Sequence, residues 1–478
     1  MSTKVSNGEI KQKNLSVISF CLFSAWNLSF LFEGQVLYSI IESAQIDGTA
    51  PALVKAAVLT VFIGLFTSGF LVKKQVAAKV TMIISIFVCI AGSLIFYLPF
   101  SILWYISIIS IAYFSSLFLA SWGFYFKTNF ISEERFKTAA DILIYSNILM
   151  IIINVLTVST SGYIGLPITI IALAGTLPFL FRLEPHIDEK AFSKINNTEL
   201  TQPITIISKP FILLSLFILI ITINSGLMYQ VVNPAFVHFK LLTAYYWSIP
   251  YILALLILRN IPTGINKTYV LYIAIAMIGL SYILFMWLDR SVISYLLINT
   301  LMLGAFGVCD LFWWSILGSY LDFLDNAAQV LGIGLSMNVL GIFVGGAIGN
   351  KITSLENSYF IASIVALVVI FAVLIIFPIL YIELNRHLKN HEFLMKFTDL
   401  PKNKQDKTML KLKNIKQLTE REVEVVTMLL RGYTYKAIAE NLFITENTIK
   451  YHVKNIYQKL EVKSKMELIK MFVDNKEY

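Results

Sequence analysis

The sequence predicts an all-α fold: a polytopic membrane bundle of about twelve helices, arranged six and six, followed by a soluble module of four short helices. Three observations predict it. Of 478 residues, 57% are hydrophobic and only 14% charged, whereas a soluble globular protein carries about 25% charged residues. Uncharged apolar runs long enough to cross about 30 Å of hydrocarbon, about 20 residues each at 1.5 Å rise, recur up to Ile382. Beyond it the runs stop and charge concentrates. From Glu383 to the end there are 19 Lys and Arg against 13 Asp and Glu, half of the chain's 38 basic residues.

Taken in order, the spans are expected at 15–41, 52–72, 78–99, 102–125, 141–163, 166–181, 210–232, 243–259, 268–288, 292–320, 328–350 and 357–382. Asn357–Ile382 has no charged side chain. Val80–Phe126 is long enough for two crossings joined at Pro99-Phe100-Ser101, and Ile142–Phe181 for two broken near Gly165-Leu166-Pro167. The first run is too long for a signal-peptide core and no small-residue cleavage site follows it, so it is expected to remain as a helix. Alternate connections carry the cations: Lys4, Lys11 and Lys13; Lys73, Lys74 and Lys79; Lys127, Arg135 and Lys137; Arg182, Lys190, Lys194 and Lys209; Arg259 and Lys267. The excess of Lys and Arg on cytoplasmic loops then places both termini in the cytoplasm, and the expected location is a bacterial cytoplasmic membrane.

Cys21, Cys89 and Cys309 lie far apart inside apolar runs. Their spacing supplies neither a disulfide framework nor metal ligands, so they read as packing residues, and no metal or cofactor is implied. No phosphate loop or nucleophile motif is present either, and an enzyme finds no support.

Arg182–Pro210, the longest connection, divides the spans six and six. With both ends inside, that layout resembles the major facilitator transporter architecture. By this resemblance the first, fourth, seventh and tenth helices line a central cavity. Glu33, one heptad after Trp26, Trp122 in the fourth span, and Asp310 with Trp313 in the tenth are then candidates for sensing an unidentified small molecule. Isolated charge within the bilayer is costly, so such carboxylates either carry function or lie near a membrane interface or beside Asn and Gln within the bundle. The family's motif after the second helix has glycine, aspartate, then arginines and glycines. Gly69-Phe70-Leu71-Val72-Lys73-Lys74-Gln75-Val76 has cations but neither the aspartate nor the second glycine. This departure counts against transport as the main activity.

Residues 383–416 read as a basic juxtamembrane linker. A continuing helix should stop before Pro401. Lys402, Lys404, Lys407, Lys411, Lys413 and Lys416 face a single Asp406, a tether suited to anionic membrane lipids at about 1 kcal/mol per cation.

Residues 417–478 show four helical patterns, each opened by a hydroxyl residue. Thr419 and Glu422 form a capping box, with Leu418 and Val423 as its staple and Val423, Val426, Leu429 and Leu430 as the apolar stripe. Gly432 stops that helix. Thr434 opens the second, with Ile438, Ala439 and Leu442 inward. Thr445 opens the third and Ser464-Lys465-Met466-Glu467 the fourth. In the third, Ile449, Val453, Ile456 and Leu460 recur at helical spacing. Its other face presents Asn447, Lys450, Tyr451, Lys454, Gln458 and Lys459, a basic, amide-bearing rod about 23 Å long that suits a major groove about 12 Å wide.

Leu418-Thr419-Glu420-Arg421-Glu422, Lys436-Ala437-Ile438-Ala439, Leu442-Phe443-Ile444-Thr445, Thr448-Ile449-Lys450-Tyr451-His452-Val453 and Lys459-Leu460-Glu461-Val462 together resemble the LuxR-type DNA-binding domain along its full length. The resemblance implies that double-stranded DNA is a partner. Lys450, Tyr451 and Lys454 then meet base edges, Thr434, Lys436, Thr448 and Lys459 meet phosphates with Asn447 beside them, and the last helix joins a homodimer. Ala437 stands where an acidic residue is common, and Lys465 where arginine is usual. His452, with no Cys or His at ligand spacing, reads as packed or phosphate-adjacent. The whole chain reads as a one-component membrane regulator that binds DNA under control of a sensed small molecule. The competing reading is a transporter with a regulatory tail.

Overall fold

A computed structural model describes residues 7–31, 34–45, 50–185, 209–239, 242–243, 246, 248–261, 267–322, 324, 326–398, 418–430, 435–462 and 467–468. These residues are helical with short turns and contain no strand. The helices are α1 (Asn7–Trp26), α2 (Gln35–Ser43), α3 (Ala50–Leu71), α4 (Gln75–Leu94), α5 (Ile102–Asn129), α6 (Ser132–Ser159), α7 (Gly162–Gly175), α8 (Leu177–Arg182), α9 (Lys209–Leu227), α10 (Ile249–Arg259), α11 (Lys267–Trp287), α12 (Val292–Tyr320), α13 (Ala327–Ile352), α14 (Ser358–Thr398), α15 (Glu420–Leu430), α16 (Tyr435–Leu442) and α17 (Glu446–Leu460). Chain contacts separate one unit, Met1–His186 with Phe211–Pro378, from a second, Ile187–Pro210 with Ile379–Tyr478.

Among the described residues eleven helices are long and apolar enough to cross a membrane. The eighth expected span, 243–259, is where the count departs: α10 has only 11 residues, about 16 Å of rise. The expected break near Gly165-Leu166-Pro167 falls instead at Thr160-Ser161, and Pro167 sits inside α7. Proline has no N–H, so the carbonyl of Tyr163 one turn earlier loses its helical donor. Tyr97 Oη supplies one at 3.2 Å. The turn at Pro99–Ser101 forms as expected, with the Ser101 hydroxyl accepting from Leu103 N. Helix α14 runs on past the apolar stretch and ends at Thr398, three residues short of Pro401.

Tight backbone approaches assemble the bundle, the usual device where no hydrophobic force acts between helices in lipid. A Cβ on Gly345 of α13 would lie 2.1 Å from the Ile223 carbonyl of α9, and one on Gly332 would lie 2.4 Å from the Leu65 carbonyl of α3. Large apolar side chains such as Ile171, Ile257, Phe371 and Ile375 remain exposed, as a lipid-facing surface requires.

At the cation-rich end, polar contacts join the first six spans to the second six. Lys127 Nζ donates to the Leu324 carbonyl at 2.8 Å, and Asn326 Nδ2 to that of Gly69 at 2.6 Å. Arg259 pairs with Asp141, its Nη2 lying 3.1 Å from Oδ2. Arg135, almost fully buried, reaches the Gly318 carbonyl at 2.7 Å and Asp322 at 2.8 Å. The halves are therefore latched without the aspartate missing from residues 69–76.

Gly345→Val should force α9 from α13 and cost about 1–3 kcal/mol. Gly346→Val is the control, because nothing lies within 4 Å of its Cβ position. Melting of the detergent-purified protein should fall for the first substitution and not for the second.

Candidate nucleic-acid interface and membrane-domain site

The C-terminal module is built around its own apolar cluster, in which Val425, Val426, Leu429, Ile438, Ile449, Ile456 and Leu468 are essentially without exposure. The first-helix stripe is centred one residue away from the expected one. Val425 is fully buried and Val423 only packs at the edge, because Glu422 also turns inward and rotates the buried face. Thr419 and Glu422 form the expected capping box, with Glu422 N donating to Thr419 Oγ1 at 3.2 Å and Thr419 N to Glu422 Oε2 at 2.8 Å.

Helix α16 ends in a left-handed turn at Phe443, φ 55°, where Ile444 N donates back to the Ala439 carbonyl at 3.0 Å. That closure satisfies the end of α16 and redirects the chain within three residues into α17. Thr445 caps α17 by accepting from Thr448 N at 3.2 Å. Along α17, Ile449, Val453, Ile456 and Leu460 are buried as expected. Tyr451 is 64% exposed, and Asn447, Lys450 and Lys454 are exposed on the same helix, with Thr448 half-buried. Lys450 leans on Glu446 at 3.0 Å. Thr434, Ser464-Lys465-Met466 and most of the expected fourth helix lie outside the described residues, as does the Lys436 side chain.

In the membrane unit, Trp122 is fully buried and bridges the two halves through its ring. Its indole N–H donates to the Ser16 carbonyl at 3.1 Å, and its ring centroid lies 4.3 Å from Phe20, 5.0 Å from Phe126 and 6.5 Å from Trp314. Trp26 instead donates to Ser93 Oγ within the first six spans. Asp310 accepts from Tyr251 Oη at 2.6 Å within the second six. Trp313 is buried, and its Nε1 has no hydrogen-bond partner among the described residues. Glu33 lies outside them. Trp314, four residues after Asp310, was legible in the sequence as its neighbour but not as a candidate, and Tyr251 and Asn224 escaped sequence reading. Both side-chain polar atoms of Asn224 are buried without partners among the described residues, a state that calls for water or a ligand.

The family described as bacterial regulatory proteins, luxR family, matches residues 416–472. This segment is a LuxR-type helix-turn-helix domain. Among curated relatives, the oxygen regulatory protein NreC of Staphylococcus carnosus (strain TM300) is 41% identical over 59 residues, 12% of this chain and 27% of its own. The nitrate/nitrite response regulator protein NarL of Escherichia coli (strain K12) is 40% identical over 55 residues, 12% of this chain and 26% of its own. The chain thus spans about a quarter of the length of these relatives. Over the membrane part, the human organic anion transporter MFSD10 (TETRAN) superposes with a TM-score of 0.60 at 14% identity, covering 77% of this chain and all of that one. The proton:xylose symporter XylE superposes with a TM-score of 0.59 at 11% identity, covering 76% and 94%. Those likenesses give the bundle the major facilitator fold, and the protein is a multi-pass membrane protein.

Two contacts of the LuxR-type domain join residues too distant in sequence for pattern reading. Arg421 donates to the Leu442 carbonyl at 2.6 Å, closing the end of α16 from α15. Lys459 Nζ lies 2.7 Å from Glu422 Oε2, whose side chain is 4% exposed. The cation expected at a phosphate is therefore also the counter-charge of a buried carboxylate. Burial alone pushes the Glu422 carboxyl up. Hydrogen bonds from Lys459 and Thr419, with the Lys459 charge, outweigh burial and hold it below the ordinary glutamate value. A lowered folded value stabilises the fold above the unfolded glutamate value near 4.5 and loses that contribution as pH falls through the folded one.

Urea unfolding of a fragment 402–478 should show stability dropping below about pH 4.5, with Glu422→Gln flattening that limb. Lys459→Met should cost about 1–3 kcal/mol at pH 7, discounted from a fully buried pair because the lysine is partly exposed. In a double-mutant cycle with Glu422→Gln, the two costs should fall short of additivity.

Proposed function

We propose that this protein is a membrane-held one-component transcription regulator. Its LuxR-type domain binds specific double-stranded DNA as a homodimer, and a small molecule taken up by the bundle alters that binding. The observation that carries the reading is α17: a capped helix with four residues buried in the module and Lys450, Tyr451 and Lys454 presented on the other side. That is the arrangement in which a recognition helix enters a major groove. Lys450, Tyr451 and Lys454 are assigned to base edges, and Thr434, Lys436, Asn447, Thr448 and Lys459 to phosphates. Lys450 is held only by an exposed pair with Glu446, a weak contact that DNA can replace.

Both termini are assigned to the cytoplasmic side of a bacterial cytoplasmic membrane, where the domain meets the chromosome, with the basic linker suited to anionic lipid headgroups. For the sensed molecule, Trp26, Glu33, Trp122, Asp310 and Trp313 remain the candidates. Trp313 Nε1 and the Asn224 amide, without partners among the described residues, favour a ligand with hydrogen-bonding groups. The second reading, a transporter whose tail regulates, is favoured by the likeness to transporter structures over about three quarters of the chain. Ligand flux into vesicles by protein lacking residues 400–478 would support it.

Binding of the DNA-binding fragment to its operator should weaken by about 1–3 kcal/mol with Lys450→Ala, mostly at one base position. Lys436→Ala and Lys459→Ala should weaken binding to all sequences, Lys436→Ala lowering the slope of log affinity against log salt by about 0.9 and Lys459→Ala by less, because Glu422 already pairs with that cation. Unchanged binding in all three variants would contradict this docking. In cells, Asp310→Asn and Glu33→Gln should alter the response to the ligand while membrane insertion and operator affinity stay as in the parent.

A further inference from the structure

At the cation-rich end of the bundle, α1, α6 and the last residue of α10 line an open cavity of about 710 Å³. Three cations line it, Lys13, Lys137 and Arg259, against two carboxylates, Glu134 and Asp141. Lys13 lies 2.6 Å from Glu134, and Arg259 holds Asp141, so one positive charge is left in excess. Deeper in the bundle the lining changes character. Leu22 stands nine residues beyond Lys13, about 13 Å along the helix axis, and Tyr145 and Ile148 follow Asp141 on α6 in the same direction. Ile18, Tyr145 and Ile148 are themselves exposed, so this wall opens sideways onto the hydrocarbon.

We infer that this cavity is a binding site for an anionic phospholipid, its phosphate group against Lys13, Lys137 and Arg259 and one acyl chain along Ile18, Leu22, Tyr145 and Ile148. Charge selects the lipid class. A monoanionic headgroup such as phosphatidylglycerol neutralises the excess cation, whereas phosphatidylcholine brings a cation of its own. The apolar wall selects a lipid over a free anion, because a soluble phosphate leaves that wall empty. Basic pockets between helices on one membrane face suit this headgroup chemistry.

The site also bears on how the halves meet. Lys13 and Lys137 belong to the first six spans and Arg259 to the second six, and Arg259 is part of the latch through Asp141. A lipid that needs cations from both halves binds only while they meet at this end. It therefore favours the latched arrangement by its differential affinity.

The test uses the full-length protein, stripped of lipid in detergent and titrated separately with phosphatidylglycerol, phosphatidylcholine and inorganic phosphate. Lipid retention is read by native mass spectrometry and stability by thermal melting. Phosphatidylglycerol should be retained and raise the melting temperature, and the other two should not. Lys137→Glu, at an exposed residue outside the latch, should lower retention about tenfold or more while the lipid-free melting temperature holds. Ile148→Trp, which narrows the apolar wall, should lower retention as well. Equal retention by parent and Lys137→Glu would reduce the effect to the general lipid annulus and overturn the proposal. Stabilisation by inorganic phosphate, or full retention in Ile148→Trp, would overturn the acyl-chain assignment and with it the lipid.

Discussion

The soluble part of this protein depends on the way α17 is held. Fifteen residues have to bury Ile449, Val453, Ile456 and Leu460 on one side while keeping Lys450, Tyr451 and Lys454 in water on the other. Hydrophobic periodicity alone leaves such a helix free to slide or rotate against its neighbours. Three polar contacts remove that freedom. Thr445 fixes where the helix starts, the Phe443 turn fixes its angle from α16, and the pair between Lys459 and Glu422 ties its last turn to the first turn of α15. A charge near the end of α17 thus contributes to placing the exposed face as well as to its electrostatics.

In the membrane part, the major facilitator fold is retained while the means of joining its halves differs from the motif that the family usually places after the second helix. Arg135, Arg259, Lys127 and Asn326 make the connection, partly through carbonyl acceptors rather than carboxylates. Carbonyl oxygens near the ends of helices are acceptors that any sequence supplies, so the partners of such a latch cannot be found as a sequence motif. The ring cluster of Phe20, Trp122, Phe126 and Trp314 lies across the same junction. A ligand that altered the packing of these rings would act directly on how the halves meet.

Features governed by local chemistry were legible in the sequence. Span length follows from hydrophobic thickness, and most of the expected spans appear. The Thr419–Glu422 box, the Thr445 cap and the stripe on α17 each need only residues within a few positions of one another. What the sequence hid depended on distant partners. Pro167 reads as a break until Tyr97 is seen supplying the donor it removes. Val423 reads as core until the burial of Glu422 turns the helix. Trp313 and Trp314 are indistinguishable as neighbours in sequence, and only the fold shows that Trp314 faces Trp122. The eighth span is the reverse case: an apolar run long enough on composition, of which only Ile249–Arg259 forms a helix among the described residues.

The central claim, that a membrane-embedded chain reads specific DNA through α17, is tested most directly in intact cells. Full-length protein is cross-linked to the chromosome, and the captured DNA is sequenced beside that captured by Lys454→Glu expressed to the same level in the membrane. The account predicts a small set of promoter fragments sharing a two-fold-related sequence, lost in the variant. Capture no different from background, or a set of fragments unchanged by Lys454→Glu, would contradict it.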